Sequence, residues 1–326
     1  MKAIDLRDDH LVWVDVAPPT LQPGCVRLDV HTAGVNRADL VQRAGRYAPP
    51  PGASPILGLE ACGVVTEVAP DVDDIQVGEV RCALLAGGGY AEQVVVPAGH
   101  TLPLPGGWSM VEGAGLMEVF ATAWLNVVDL PGLLDRPGAR VLLHAGASGV
   151  GTAALQIARE LGLRTFVTVG TQEKIDRCVA LGAEGGANRK AGPWLDAVKA
   201  WAPDGVDAIL DPVGASYLDD NLSALARDGS IVHIGLLSGR RAELDMGKVL
   251  MKRARLQGST LRARSPDFKT RLVKDLEDHL WSALSERRIT PIIHGTYAIE
   301  DVQTAHEVLA SNTTLGQLVL EVPRAS

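Results

Sequence analysis

Between residues 144 and 151 the chain reads HAGASGVG, with an apolar run before it (ARVLLHA) and an amphipathic one after it (VGTAALQIARELG). The spacing is that of a dinucleotide-binding turn, G-x-G-x-x-G, with Ser148 in place of the middle glycine. In such a turn the chain leaves a strand and opens a helix whose first amides face a pyrophosphate. Gly146 would permit the tight turn, and Gly149 with Gly151 the close packing of helix on sheet. Ser148 also reads as a plain N-cap that satisfies an orphan amide of the helix; the two roles are compatible. The end of the next strand points to the nucleotide. An NAD-binding fold places Asp or Glu about 20 residues on, to hold the ribose hydroxyls. Here that place is Gly170, in TVGTQEKIDRC. Thr171 can donate a hydrogen bond, Lys174 lies one helical turn on, and Arg189 in GANRKAG is a second cation, so a 2′-phosphate is accommodated. Glu173 cuts the other way unless it points elsewhere. The expected cofactor is NADP(H).

The elements that must position these residues follow from the pattern of the chain. Up to about Val96 short alternating runs are separated by Gly and Pro (CVRLDVHTAGV, ACGVVTEVAP), the look of a β-barrel-like module. Helical periodicity follows in MVEGAGLMEVFATAWLNVVDL. Apolar strands then alternate with helices, from ARVLLHA to GSIVHIGLL, which implies an α/β domain with a doubly wound parallel sheet. The tail, from about Ser265, is mixed and is expected to return to the first domain. The expected division is therefore 1–117 with 266–326, and 118–265.

Composition narrows the function. With 326 residues, 46% hydrophobic, the chain can bury a sizeable core, and its net charge of −8 argues against nucleic-acid or anionic-membrane binding. The most basic stretch, KVLMKRARLQGSTLRARS, reads as a solvated helix face. Cys25, Cys62, Cys82 and Cys178 form no CxxC pair, so a reducing, cytoplasmic setting is expected. No signal peptide is visible, and the apolar runs are interrupted short of the ~18 residues a membrane span needs. A soluble protein is expected.

Three segments beside the nucleotide turn carry a family resemblance: AGVNRADLVQRAGRYAPPPG, ILGLEACGVV and LLAGGGYAEQV. With HAGASGVGTAALQIAR they make the whole chain similar to the zinc-free quinone oxidoreductases of the medium-chain dehydrogenase/reductases, and within them to the tumour-suppressor-inducible NADPH:quinone oxidoreductases, which also carry Ser in the turn. The resemblance implies a Rossmann-type domain beside a GroES-like barrel. Zinc enzymes of the superfamily bind metal through Cys and His; Asn36 stands at the first position and Leu59 at the second, before Glu60, and no four-Cys lobe lies between Arg81 and Gln93. No metal is expected. The resemblance further implies a substrate-side Tyr47, an orienting Asn36 and a nicotinamide-side Thr122. It places cofactor contacts on Gly146, Ser148 to Gly151 (with Gly149 and Val150), Gly170, Thr171, Lys174, Arg189, Leu236, Leu237, Leu261 and Arg262. The chain departs from the family's pattern at Met117 (Pro in many relatives), Arg189 (a tyrosine) and Gln317 (a lysine).

The expected activity is hydride transfer from NADPH to a quinone, with Tyr47 donating a hydrogen bond to the quinone oxygen. Tyr47 also reads as a loop tyrosine covering apolar surface beside APPPG. Reduction of an enone or enoyl double bond is the alternative, since Tyr47 could supply the proton that reaction needs. A non-catalytic crystallin-like or RNA-binding role is the alternative of another class. The segment ARLQGSTL reads as the last strand of the sheet, and such an edge invites a homodimer.

Overall fold

The computed structural model describes residues 1–323. The chain forms two units, 1–121 with 261–326, and 122–260. Both boundaries lie inside the expected second domain: helix Met117–Trp124 runs through the first, and Leu261 and Arg262 belong to the unit of the N-terminus rather than to that of the nucleotide turn.

In the first unit the eleven-residue strand Cys25–Val35 is the hub. It pairs antiparallel with Glu60–Val68, with Gln93–Pro97 and with Gln317–Glu321 near the chain's end. The tail thus completes the first domain, as its mixed pattern suggests. Ile293–Ala298 adds to Gln317–Glu321 in parallel, and Val80–Leu84 and Thr101–Pro103 continue the sheet beyond Glu60–Val68. Alternating residues of the hub (Val26, Leu28, Val30) join Val65, Leu318 and Leu320 in the core, each fully buried side chain contributing about 1.5–3 kcal/mol.

The second unit holds six parallel strands in the order Gly185–Asn188, Arg164–Val169, Arg140–His144, Val206–Asp211, Leu225–His233, Arg255–Gly258. Numbered along the chain this is 3-2-1-4-5-6, the order of dinucleotide-binding sheets. The strand that precedes the nucleotide turn is central, so its carboxyl end lies where the strand order reverses.

The stretch of helical periodicity is divided. Met110–Gly113 is a single turn, Met117–Trp124 a helix, and Leu125–Asp129 a π-helical turn. Taken together, Met110–Asp129 is long and apolar enough to cross a membrane, longer than the uninterrupted runs the sequence suggests, but 83% of its most apolar window is buried inside the protein, as in a core helix.

Candidate functional site

The nucleotide turn begins where strand Arg140–His144 ends. Ala145, with φ 54, takes the left-handed conformation, and Ser148 N closes the turn on Ala145 O at 2.9 Å. Ala145, not Gly146, therefore supplies the tight turn. Gly146 is needed for packing, because a Cβ there would lie 2.5 Å from Val167 Cγ1, and one on Gly151 would lie 2.5 Å from Gly146 O. Ser148 is the N-cap of helix Gly149–Glu160: its Oγ accepts from Gly151 N at 3.1 Å. The amides of Gly149 and Val150, in the first turn, have no acceptor within the helix, and are the donors such a turn offers to a phosphate.

Beyond strand Arg164–Val169, Thr171 caps helix Gln172–Ala180 by accepting from Lys174 N at 3.2 Å, which leaves its own proton free to donate. Around Gly170 the cations converge. A Cβ on Gly170 would meet Lys190 Cε at 3.4 Å and Arg189 Nη2 at 3.8 Å. Burial, then the charges of Lys190 and Arg189, hold Lys174 below its usual value. Like charges brought this close favour an anionic ligand, and no acidic side chain stands at Gly170 to repel it. Lys190 was passed over in the sequence; its neighbour Arg189 was the only signal for it. These residues fit the 2′-phosphate of NADP(H). Leu236 and Leu237, beyond strand Leu225–His233, are 58% and 57% exposed, and Thr122 is half-buried with its carbonyl accepting from Asn126 Nδ2 at 2.6 Å.

A polar network that sequence reading did not find ties the strand ends of this unit. His144 Nδ1 meets Thr168 Oγ1 at 2.8 Å and its Nε2 meets Asn221 Oδ1 at 2.7 Å; Asn221 Nδ2 donates to Asp211 Oδ2 at 3.0 Å. Burial takes His144 down to about 4, so it is neutral, with the rings of Trp194 and Tyr217 edge-on at 4.8 Å.

In the first unit a second buried network occupies the region of Asn36. Asn36 Nδ2 donates to Glu60 Oε1 at 2.9 Å, and Gln317 Nε2 donates to the same oxygen at 3.0 Å and to Asn36 Oδ1 at 3.2 Å. Glu118 N donates to Glu60 Oε2 at 2.9 Å. Burial pushes Glu60 up to about 8 against the pull of these donors. Asn36 is 8% exposed and both its side-chain polar atoms are engaged, so it acts by fixing Glu60 and Gln317 before it acts on any ligand. Asp39 accepts from Asn36 N, Gly58 N and the Tyr90 hydroxyl, and burial takes it up to about 6.

Tyr47 follows helix Arg37–Arg43 and is half-buried. Its ring lies under the guanidinium of Arg262, 5.4 Å from carbon to centroid, and Arg262 Nη1 donates to Tyr47 O at 3.3 Å. Burial and the nearby Glu118 hold the phenol above its usual value, so it carries its proton at neutral pH. The structure thus brings Tyr47 and Arg262 together in one unit, and groups Ser148 to Gly151, Gly170, Thr171, Lys174 and Arg189 in the other.

Two family models match: the alcohol dehydrogenase GroES-like domain over residues 22–106 and the zinc-binding dehydrogenase over residues 149–278. The quinone oxidoreductase of Thermus thermophilus, solved also in complex with NADPH, is 31% identical, with 98% of this chain and 100% of that one covered and a TM-score of 0.81. This chain belongs to the medium-chain dehydrogenase/reductase superfamily. A solved NAD-dependent alcohol dehydrogenase is 29% identical, covering 99% of this chain and 100% of that one, TM-score 0.86. Among curated proteins, the polyketide synthase GfsB of Streptomyces halstedii is 31% identical over 97% of this chain, which spans only 5% of that protein's length.

The residues at the positions of the superfamily's zinc ligands are of other types. Asn36 and Leu59 stand at the positions of the Cys and His ligands, Asn36 is tied to Glu60 and Gln317, and Leu59 is buried. Among the described residues no three or more His, Cys, Asp or Glu side chains cluster as metal ligands. Cys62 and Cys82 lie side by side in the core, Sγ to Sγ 3.9 Å.

Proposed function

We propose that this protein is a zinc-independent reductase that uses NADPH to reduce a quinone. The observation that carries the reading is the donor set around Asn36: Asn36 and Gln317 both donate to Glu60 at the position where the family resemblance implies a metal in zinc enzymes, which suits an acceptor already electrophilic enough to need no Lewis acid. When bound, NADPH supplies the hydride from its nicotinamide ring. The chain's own residues do the rest. Gly149 and Val150 amides would hold the pyrophosphate; Thr171, Lys174, Arg189 and Lys190 would hold the 2′-phosphate; Tyr47 would offer a protonated phenol to the acceptor's oxygen. The quinone oxidoreductase among the solved relatives supports the acceptor class.

Enone reduction is the second reading. Tyr47 keeps its proton at neutral pH and could deliver it to carbon, and a polyketide synthase among the relatives is a reason to test enones beside quinones. A steady-state screen of NADPH oxidation over ortho-quinones, para-quinones and enones tests both. Quinone turnover at least tenfold faster than enone turnover is expected; the reverse order selects the second reading, and no turnover in either class revives a binding role.

The partner of this protein is a second copy of itself. Helix Met246–Lys252 is inverted relative to a solvated face. Lys248 reaches Asp219 at 2.6 Å and Lys252 reaches the carbonyl of Ser223 at 3.1 Å, while Met246, Leu250 and Met251 are 65%, 74% and 71% exposed. Strand Arg255–Gly258, next in the chain, ends the sheet with one neighbour. An apolar helix face beside an unpaired strand edge supports a two-fold pairing of sheets. Light scattering at micromolar concentration should give twice the chain mass of 34.4 kDa; the monomer mass would refute it.

A further inference from the structure

Asp211 ends strand Val206–Asp211 and is fully buried, and its two oxygens face different ways. Oδ1 accepts from the amides of Val213 at 2.6 Å and Gly214 at 3.0 Å, which turns the following loop back onto the strand end. Oδ2 accepts from Asn221 Nδ2 at 3.0 Å and lies 3.1 Å from His233 Nδ1. Burial alone would raise Asp211, but His233 and the two amides outweigh it and hold the group below its usual value, so at neutral pH it is ionised and can only accept. That fixes the donors behind it. Asn221 turns its NH2 to Asp211 and its carbonyl to His144; the neutral His144 then carries its proton on Nε2, and its Nδ1 accepts from the Thr168 hydroxyl. Thr168, His144, Asp211 and His233 come from four strands that are neighbours in the sheet, so the carboxylate is anchored to its most rigid part.

The loop that Asp211 holds in turn holds a second one. Val213 O accepts from Ser238 N at 2.8 Å and from Ser238 Oγ at 2.9 Å, Pro212 O accepts from Leu237 N at 3.2 Å, and Gly214 pairs with Gly239. The approach leaves no room for side chains: a Cβ on Gly235 would lie 2.8 Å from Pro212 O, and one on Gly214, at φ 85, would lie 3.0 Å from Gly239 O. Between these ties Leu236 and Leu237 stand exposed. Their place along the sheet is informative. On the NADPH reading, the cations at the end of strand Arg164–Val169 take the 2′-phosphate and the turn after strand Arg140–His144 takes the pyrophosphate. The same line across the sheet next reaches the ends of strands Val206–Asp211 and Leu225–His233, where the nicotinamide half of the same molecule would follow.

We propose that Asp211 is a positioning residue: by holding the loop at 212–214, and through it the loop at 235–239, it fixes Leu236 and Leu237 as an apolar shelf against the nicotinamide half of bound NADPH. This rests on the NADPH reading above. The family resemblance places cofactor contacts on the two leucines; the buried carboxylate that aims them, and the chain of hydrogen bonds behind it, is the new element. Every group involved lies within residues 122–260. Asp211 itself touches no ligand. It acts by sparing the loops the cost of ordering when the nucleotide arrives.

Titration of the full chain with two ligands tests the assignment: NADPH, and adenosine 2′,5′-bisphosphate, which carries the 2′-phosphate but lacks the nicotinamide half. Wild type is compared with Asp211→Ala and with Ser238→Ala, the second removing only the exposed hydroxyl that bonds Val213 O and Ser216 N. Asp211→Ala should weaken NADPH about tenfold and Ser238→Ala about threefold, while both variants bind the bisphosphate within about twofold of wild type. If Asp211→Ala does not fold, Ser238→Ala carries the test by the same split. Equal weakening of both ligands would make the carboxylate a support of the whole unit, and NADPH affinity unchanged in both variants would leave the shelf without a role; either result overturns the assignment. A wild type that binds neither ligand overturns the nucleotide reading itself, and the assignment with it.

Discussion

In residues 122–260 the groups assigned to the nucleotide are set by main chain: a left-handed Ala145, glycines that leave no room for a Cβ, and hydroxyl caps on Gly151 N and Lys174 N. In the other unit side chains hold side chains. Asn36, Glu60 and Gln317, far apart in sequence, satisfy one another in the interior, and Arg262 is aimed by carbonyls of Ala86 and Tyr47. The first kind of site is specified by local sequence and tolerates no added volume. The second tolerates some change of shape but no loss of a partner, because each buried donor then goes unpaired.

The contrast is broken most severely at Gly151. Gly151→Val should push the helix start off the turn, costing more than about 4 kcal/mol or leaving the chain insoluble, with no NADPH binding by titration. Wild-type binding by a folded Gly151→Val protein would show that the main chain does not set this site. Next in size, Glu60→Ala strips the acceptor from Asn36 Nδ2, Gln317 Nε2 and Glu118 N, and should cost about 3 kcal/mol in urea unfolding. A loss below about 1 kcal/mol would mean that water replaces the carboxylate.

The smallest effect is on pH dependence. Glu60 sits at about 8 in the folded protein against 4.5 for the free group, so the folded state holds the extra proton between those values. Its contribution is complete below the lower value and is lost as pH rises through the upper one. Glu60→Gln should therefore flatten the decline of stability between about pH 6 and pH 8, with Glu118, also raised to about 8, leaving a residual slope. An unchanged slope would show that Glu60 is ionised in the fold.

The alternation of strands and helices was legible because its period is local, and so was the return of the tail, whose mixed pattern fits Gln317–Glu321 pairing with Cys25–Val35. The division of Met110–Asp129 was not, since apolar periodicity does not report where a ladder changes to π spacing. Nor did the sequence disclose that Ala145 rather than Gly146 turns left-handed, a conformation that non-glycine residues seldom adopt. The basic stretch after Asp245 misled for a physical reason: Lys248 and Lys252 have stems long enough to bend inward to Asp219 and Ser223, which turns the apolar face out. Of the residues proposed to hold the nucleotide, Thr171, Lys174 and Arg189 were read from a missing acid at Gly170, while Lys190 was visible only once the chain had folded. His144 with Asn221, and Glu60 with Gln317, join distant segments, and no local pattern announces such pairs.

The central claim is that residues 122–260 are built for a nucleotide carrying a 2′-phosphate. Equilibrium titration with NADPH and NADH, on wild type and on the double variant Lys174→Ala, Lys190→Ala, tests it most directly. NADPH should bind wild type at least tenfold more tightly than NADH, about 1.4 kcal/mol, and the double variant should bind the two within about threefold. Equal affinities in wild type, or a preference untouched by removing both lysines, would contradict the account.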